Sequence, residues 1–179
     1  MRSDSGAFVM ATAYPLGGWP ASAIRRKRGA MFRNQMERAL EEARAAAARG
    51  EAPVGAVLTA PDGQVLAADG NRVRELADPT AHAEILVLRK GARMLGSERL
   101  TGCGLTVTLE PCPMCAGAIA HARVGKLWYG AEDPKGGGVA HGARVFAQPT
   151  CHHAPDVYSG IREQDCAALL LEFFQSLRD

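Results

Sequence analysis

A chain of 179 residues and 19.0 kDa is long enough for one domain with a full core and too short for two comfortable ones. Hydrophobic residues at 47% and charged residues at 22% are ordinary for a globular protein, and no apolar run approaches the roughly 18 residues needed to span a membrane. Net charge is +2, but residues 1–33 carry six basic side chains against Asp4 while the remainder carries 15 basic against 18 acidic, so bulk attraction to a polyanion is excluded for the folded part.

Residues 1–33 hold Gly17-Gly18-Trp19-Pro20 and the basic run Arg25-Arg26-Lys27-Arg28 without sustained periodicity, and read as a flexible basic extension ahead of a domain at 34–179. Three readings stay open for it: an incidental extension, since Met31 could itself start the chain, a basic arm for nucleic acid, or an acid-poor organellar transit peptide. A charged start followed by an unbroken apolar stretch, as in a secretory signal, is missing. Five cysteines is an odd count and a reducing-compartment pattern, so the expected location is the cytoplasm.

Asn34–Arg49 is rich in helix formers, with Met36, Ala39, Leu40, Ala43 and Ala47 on one face and Gly50 as a stop. Val54–Thr59 and Gln64–Ala68 are β-type runs joined through Pro61-Asp62-Gly63, which predicts a hairpin. A polar loop from Asn71 to Asp78 leads to Thr80, a good helix N-cap, and a helix is expected from Ala81 to about Leu95, facing the core with Ile85, Leu88 and Leu95. Leu105–Leu109 reads as a buried strand, and Pro111 is expected to open a helix reaching Ala122. Lys126–Tyr129 is a short strand, followed by the glycine-rich loop Gly136–Gly142 and an irregular segment to Tyr158. Glu163–Arg178 closes the chain as an amphipathic helix with Cys166, Leu169, Leu170, Phe173 and Leu177 on one side. Strands alternating with helices predict an α/β domain in which helices cover a mixed sheet.

The chemistry concentrates in two short stretches, His82-Ala83-Glu84 and Pro111-Cys112-Pro113-Met114-Cys115. Three protein ligands and one open position make a catalytic zinc site, whereas four ligands close a structural one. His82, Cys112 and Cys115 supply three, and no fourth Cys or His lies beside either cluster at ligand spacing. Two thiols three residues apart in a helical first turn point the same way, and the helix N-terminus favours their thiolate form. Two thiolates with a neutral imidazole balance the charge of one zinc ion. Glu84 is left over as a proton carrier for water whose pKa the metal lowers. Alone, each piece has a plainer reading, such as a solvated His, a capping Glu or a redox or structural Cys-x-x-Cys; together they point to zinc-dependent hydrolysis.

Pro79-Thr80-Ala81-His82-Ala83-Glu84-Ile85 and Thr108-Leu109-Glu110-Pro111-Cys112-Pro113-Met114-Cys115-Ala116-Gly117-Ala118 resemble the signatures of the cytidine/deoxycytidylate deaminase superfamily, and within it the bacterial tRNA-specific adenosine deaminases. The resemblance covers roughly Asn34–Arg178, with support from Pro53-Val54-Gly55-Ala56-Val57, Asn71, Asp165-Cys166-Ala167-Ala168-Leu169-Leu170 and Phe173-Phe174. It implies a three-layer cytidine deaminase-like fold, a central mixed five-stranded sheet flanked by helices. It implies one zinc per subunit, a homodimer, and hydrolysis at the C–N bond of a cyclic amidine: adenosine to inosine at the wobble position of a tRNA anticodon, typically of an arginine tRNA. Activated water would attack C6 of the flipped-out base, with Glu84 shuttling protons. By position, Asn71 would bind the base, the backbone after Leu109 would line its pocket, and Asp133 and Lys135 would contact neighbouring nucleotides. Phe174 and Arg178 would reach the RNA from the last helix. Recognition of splayed loop bases suits a folded part that is not strongly basic.

Two places depart from the family pattern. Gly136-Gly137-Gly138-Val139-Ala140-His141 stands where many relatives have a glycine-alanine-x-glycine-serine run, and Cys151-His152-His153 has His152 in place of a usual asparagine. The second reads as an ordinary polar loop in preference to a second metal site, and His121 as solvent-facing or a local hydrogen-bonder. The alternative activity is a free guanine or cytosine deaminase with the same zinc chemistry; Asp133-Pro134-Lys135 and the closing helix favour the tRNA reading. A non-catalytic RNA-binding subunit that keeps zinc for folding would lack the glutamate that stands here as Glu84.

Overall fold

The computed structural model describes residues 28–178, with side chains from Gln35 onward, so most of the basic extension lies outside the described residues. Helix α1, Arg28–Ala48, starts more than a turn before the expected Asn34, because no proline intervenes and Arg28, Ala30 and Met31 all favour helix. Its buried face is Met36, Ala39, Leu40, Ala43 and Ala46; the expected Ala47 is only half-buried. Gly50 follows it with φ +77°, a left-handed stop that suits glycine.

Strands β1, Gly55–Thr59, and β2, Val65–Gly70, form the expected antiparallel hairpin. Asp62 Oδ1 accepts the Gln64 N–H at 2.9 Å within the turn, and Gly63 takes φ +89°. Strand β3, Gly104–Leu109, pairs antiparallel with β1; β4, Lys126–Ala131, runs parallel to β3. A fifth strand, β5, Asp156–Tyr158, lies parallel to β4 inside the segment expected to be irregular. Three exposed residues carry no periodic signal, and the strand is held by its ladder and by Tyr158 stacked on Trp128 at 5.7 Å between ring centres. The sheet order is β2-β1-β3-β4-β5.

Helices α2, Ala83–Leu95, and α3, Pro113–His121, cover one face, while α1 and α4, Glu163–Ser176, cover the other. Strand β1 shows the division: Ala56 and Leu58 pack with Val87, Leu88 and Ile119, whereas Val57 packs with Met36, Leu40 and Cys166. The result is the three-layer architecture with a mixed five-stranded sheet. A Cβ on Gly55 would meet the Ala39 carbonyl oxygen, so only glycine lets α1 approach β1 this closely. Along α4, Cys166 is buried and Leu169, Leu170 and Phe173 are partly so; Leu177, expected on the same face, is exposed beyond the helix end. Among the described residues, no helix is long and apolar enough to cross a membrane.

Both site helices start later than their sequences suggest. Thr80 is not the cap of α2: its N–H and hydroxyl both bond Asp78 Oδ1, at 2.8 and 2.7 Å, and His82 is the N-cap. Pro111 does not open α3, because Cys112 precedes Pro113 and is driven to extended backbone, φ −67° and ψ 169°. Pro113 is therefore the first helical residue and Cys112 the N-cap.

Candidate active site

Strands β2 and β3, both antiparallel to β1, deliver the chain to one end of the sheet, where α2 and α3 begin. The Asn71 N–H bonds the Val54 carbonyl at 3.0 Å, and Asn71 Oδ1 accepts the Ala83 N–H at 2.8 Å. An asparagine twelve residues upstream thus does the capping that neither Thr80 nor His82 does, and ties the loop after β2 to the start of α2. Glu51, buried, accepts the Arg74 and Glu75 N–H groups at 2.8 and 2.9 Å and pins the same loop.

His82 Nδ1 lies 3.7 Å from Cys112 Sγ and 3.5 Å from Cys115 Sγ, and the three donor atoms all fall within 4.8 Å of one another. Tetrahedral zinc with Zn–S near 2.3 Å and Zn–N near 2.0–2.1 Å requires S···N separations of about 3.6 Å. The donor set therefore fits zinc in kind, count and spacing. Among the described residues it is the one group that does.

Electrostatics support the fit. The Cys115 thiol, with the His82 imidazole and the Cys115 N–H, holds Cys112 down at about 4 against the cost of burial. Cys115 is pushed up by donating to Cys112 and by burial, and His82 is raised chiefly by its contact with Cys112. A lowered thiol pKa favours the thiolate that a metal binds. Glu84, 3% exposed, is pushed up by burial, which favours a carboxyl that carries a proton.

Beside this group opens a cavity of about 390 Å³, lined by His82, Glu84, Cys112, Asn71 and Asp133 among others. Phe173, Phe174 and Leu177 of the closing segment, Arg74 of the loop after β2, and Leu109 and Glu110 at the end of β3 complete the lining. Lys135 and Arg178 are exposed and do not line it. Arg74, Glu51 and Glu110 are the residues that sequence reasoning missed. Glu110 was within the quoted motif, yet an acidic residue between a strand and Pro-Cys has no pattern announcing that it is buried. Its pKa is lowered: burial alone would raise it, but the His141 N–H and imidazole and the Asp133 and Val139 N–H groups outweigh that.

The Cys151-His152-His153 segment forms a polar loop. His153 Nε2 meets the Val124 carbonyl at 2.7 Å, Cys151 Sγ the His153 carbonyl at 3.1 Å, and Arg123 donates to the His152 carbonyl at 2.8 Å. His121 is exposed.

Two helix starts bringing a His-Cys-Cys set and a buried carboxyl to the edge of a base-sized cavity, under a mixed sheet, define a zinc-dependent deaminase. The chain belongs to the family of the cytidine and deoxycytidylate deaminase zinc-binding region, whose model matches residues 32–131. It is 60% identical over 143 residues to a tRNA-specific adenosine deaminase of Agrobacterium fabrum, a match covering 80% of this chain and 93% of that one. Among solved structures, a tRNA:A34 deaminase studied for A-to-I editing at the wobble position of transfer RNA superposes with a TM-score of 0.75 at 60% identity, covering 76% of this chain and 99% of that one. A guanine deaminase of Nitrosomonas europaea superposes with a TM-score of 0.68 at 26% identity, over 79% and 83% of the two chains.

Proposed function

We propose that this chain converts adenosine to inosine at the wobble position of a tRNA anticodon, with an arginine tRNA as substrate. The carrying observation is the zinc-fitting triad with Glu84 at a cavity of about 390 Å³, in a chain 60% identical to the A. fabrum enzyme. A homodimer is the assembly proposed with it, on family resemblance. The cytoplasm is the proposed location, supported by five free cysteines.

His82, Cys112 and Cys115 would hold the metal, which supplies a Lewis acid that brings the pKa of water to about 7. Glu84 takes a proton from the attacking water and delivers it to ring N1, then passes the remaining hydroxyl proton to the amine at C6. The C6–N bond breaks, ammonia leaves and the ring keeps the oxygen as the C6 carbonyl. Burial suits Glu84 to both halves of that transfer. Because Asn71 commits Oδ1 to the Ala83 N–H, its Nδ2 is the half of the amide left to donate to the base. Asp133 and Phe174, which line the cavity, would contact nucleotides flanking a flipped base, whereas Lys135 and Arg178 would meet RNA outside the cavity.

The superposition on a guanine deaminase keeps a free-purine substrate as the second reading. Incubating the purified protein with an adenosine-containing anticodon stem-loop, with free guanine and with free cytosine separates the two. Inosine in the stem-loop is expected; ammonia from a free base with no inosine would overturn the tRNA reading.

A further inference from the structure

Part of the cavity lining is a loop wrapped around one carboxylate. The Glu110 side chain is fully buried. Its Oε1 accepts the N–H groups of Val139, Ala140 and His141 at 3.1, 2.8 and 2.9 Å. Its Oε2 accepts the Asp133 N–H at 3.1 Å and meets His141 Nδ1 at 2.7 Å. Gly137 packs so closely on Oε1 that an added Cβ would sit 2.5 Å away. The Gly138 N–H bonds the Pro111 carbonyl at 2.8 Å, joining the loop to the residue before Cys112.

This carboxylate is not one of the metal donors, and the proton transfers assigned to Glu84 do not need it. What it holds is the turn beginning at Asp133, whose Oδ1 accepts the Lys135 and Gly136 N–H groups at 3.1 and 2.9 Å. Asp133 and Gly136 both line the cavity. A buried anion is tolerated only when its lone pairs are filled, so each of these donors is under pressure to stay in place. His141 is the one side-chain partner in the set and the one that reaches from the loop surface, with its other nitrogen 3.9 Å from Glu132.

We infer that Glu110 and His141 are positioning residues for the wobble reaction: the pair fixes the Asp133–Gly136 turn in the conformation that receives the nucleotides flanking the target base. The inference rests on the tRNA reading and deepens it. Neither side chain needs to touch the reacting atoms. Loosening the turn weakens RNA binding while leaving the metal and Glu84 in place, so the effect belongs in KM and not in kcat.

The test is steady-state kinetics on the anticodon stem-loop with His141→Ala and His141→Asn, alongside zinc content and thermal midpoint. In His141→Ala, KM should rise about tenfold, as loss of a charge-assisted hydrogen bond predicts, with kcat within about twofold and full zinc occupancy. Asparagine places an amide N–H where Nδ1 stands and should bring KM back to within about threefold of the parent. Glu110→Gln should raise KM further than His141→Ala; since that buried change could also impair folding, the His141 pair decides the matter. Unchanged KM in His141→Ala, or zinc loss or a fall in kcat in its place, would overturn the inference while parental activity upholds the tRNA reading. A parent that forms no inosine would sink both.

Discussion

Glu84 and Glu110 both line one cavity, one in the first turn of α2 and the other just before α3, and both are buried, at 3% and 2% exposure. Their environments drive them apart. Around Glu84, burial dominates and the carboxyl is pushed up; around Glu110, four N–H donors and an imidazole override burial and hold it down. Burial alone therefore does not decide what a carboxyl does. The donors around it do, making one wall a proton carrier and the other a fixed anchor.

The contrast between a chemical wall and an anchoring wall can be broken in stages. The largest effect is expected from Cys112→Ala, which removes a metal donor: zinc content and inosine formation should both fall to background. Glu84→Gln should keep its zinc and lose about 10²–10⁴ in kcat, the usual contribution of a positioned acid-base group. Loss of metal in that variant would show that the carboxyl is a ligand and erase the distinction. Asn71→Ala removes the acceptor of the Ala83 N–H and should cost about 1–3 kcal/mol in denaturant unfolding, together with a raised KM for the stem-loop.

Smaller effects test the scaffolding behind each wall. Asp69 is buried, with Lys90 Nζ at 2.5 Å and Arg72 Nε at 2.9 Å. Burial would raise its pKa, yet the two cations win and hold it low. A depressed carboxylate adds stability above its unfolded pKa, near 3.9, and that stability is lost as pH falls through its lower folded value. The stability gap between the parent and Asp69→Asn should accordingly close on acidification, as followed by thermal melts. His141 runs the other way. Glu110 raises its pKa, so its contribution is full below the unfolded imidazole value near 6.5 and fades as pH rises through the folded one. The difference in melting temperature between the parent and His141→Ala should shrink above neutrality.

Much of this was legible in the residues. The hairpin turn at Pro61-Asp62-Gly63, the buried strand at Leu105–Leu109 and the stop at Gly50 follow from local chemistry, and local chemistry is what sequence records. The helix starts were misplaced because capping was judged from neighbours: Thr80 was captured by Asp78, and the cap came from Asn71, far away in sequence. Strand β5 was missed because three exposed residues carry no period; its register comes entirely from β4.

By itself the sequence determined the reaction chemistry. A histidine, a glutamate and two cysteines at fixed short spacings bring their ligand preferences with them, and neutral imidazole, thiolate and carboxyl suit few tasks besides binding zinc and moving protons. Only the tertiary structure decided how the cavity is walled. Glu110 reaches loop residues 23 to 31 positions away, and Asn71 reaches Ala83 across the end of the sheet. Such bonds depend on where β2, β3 and β4 end in space, and no local pattern encodes a partner that the fold alone brings near.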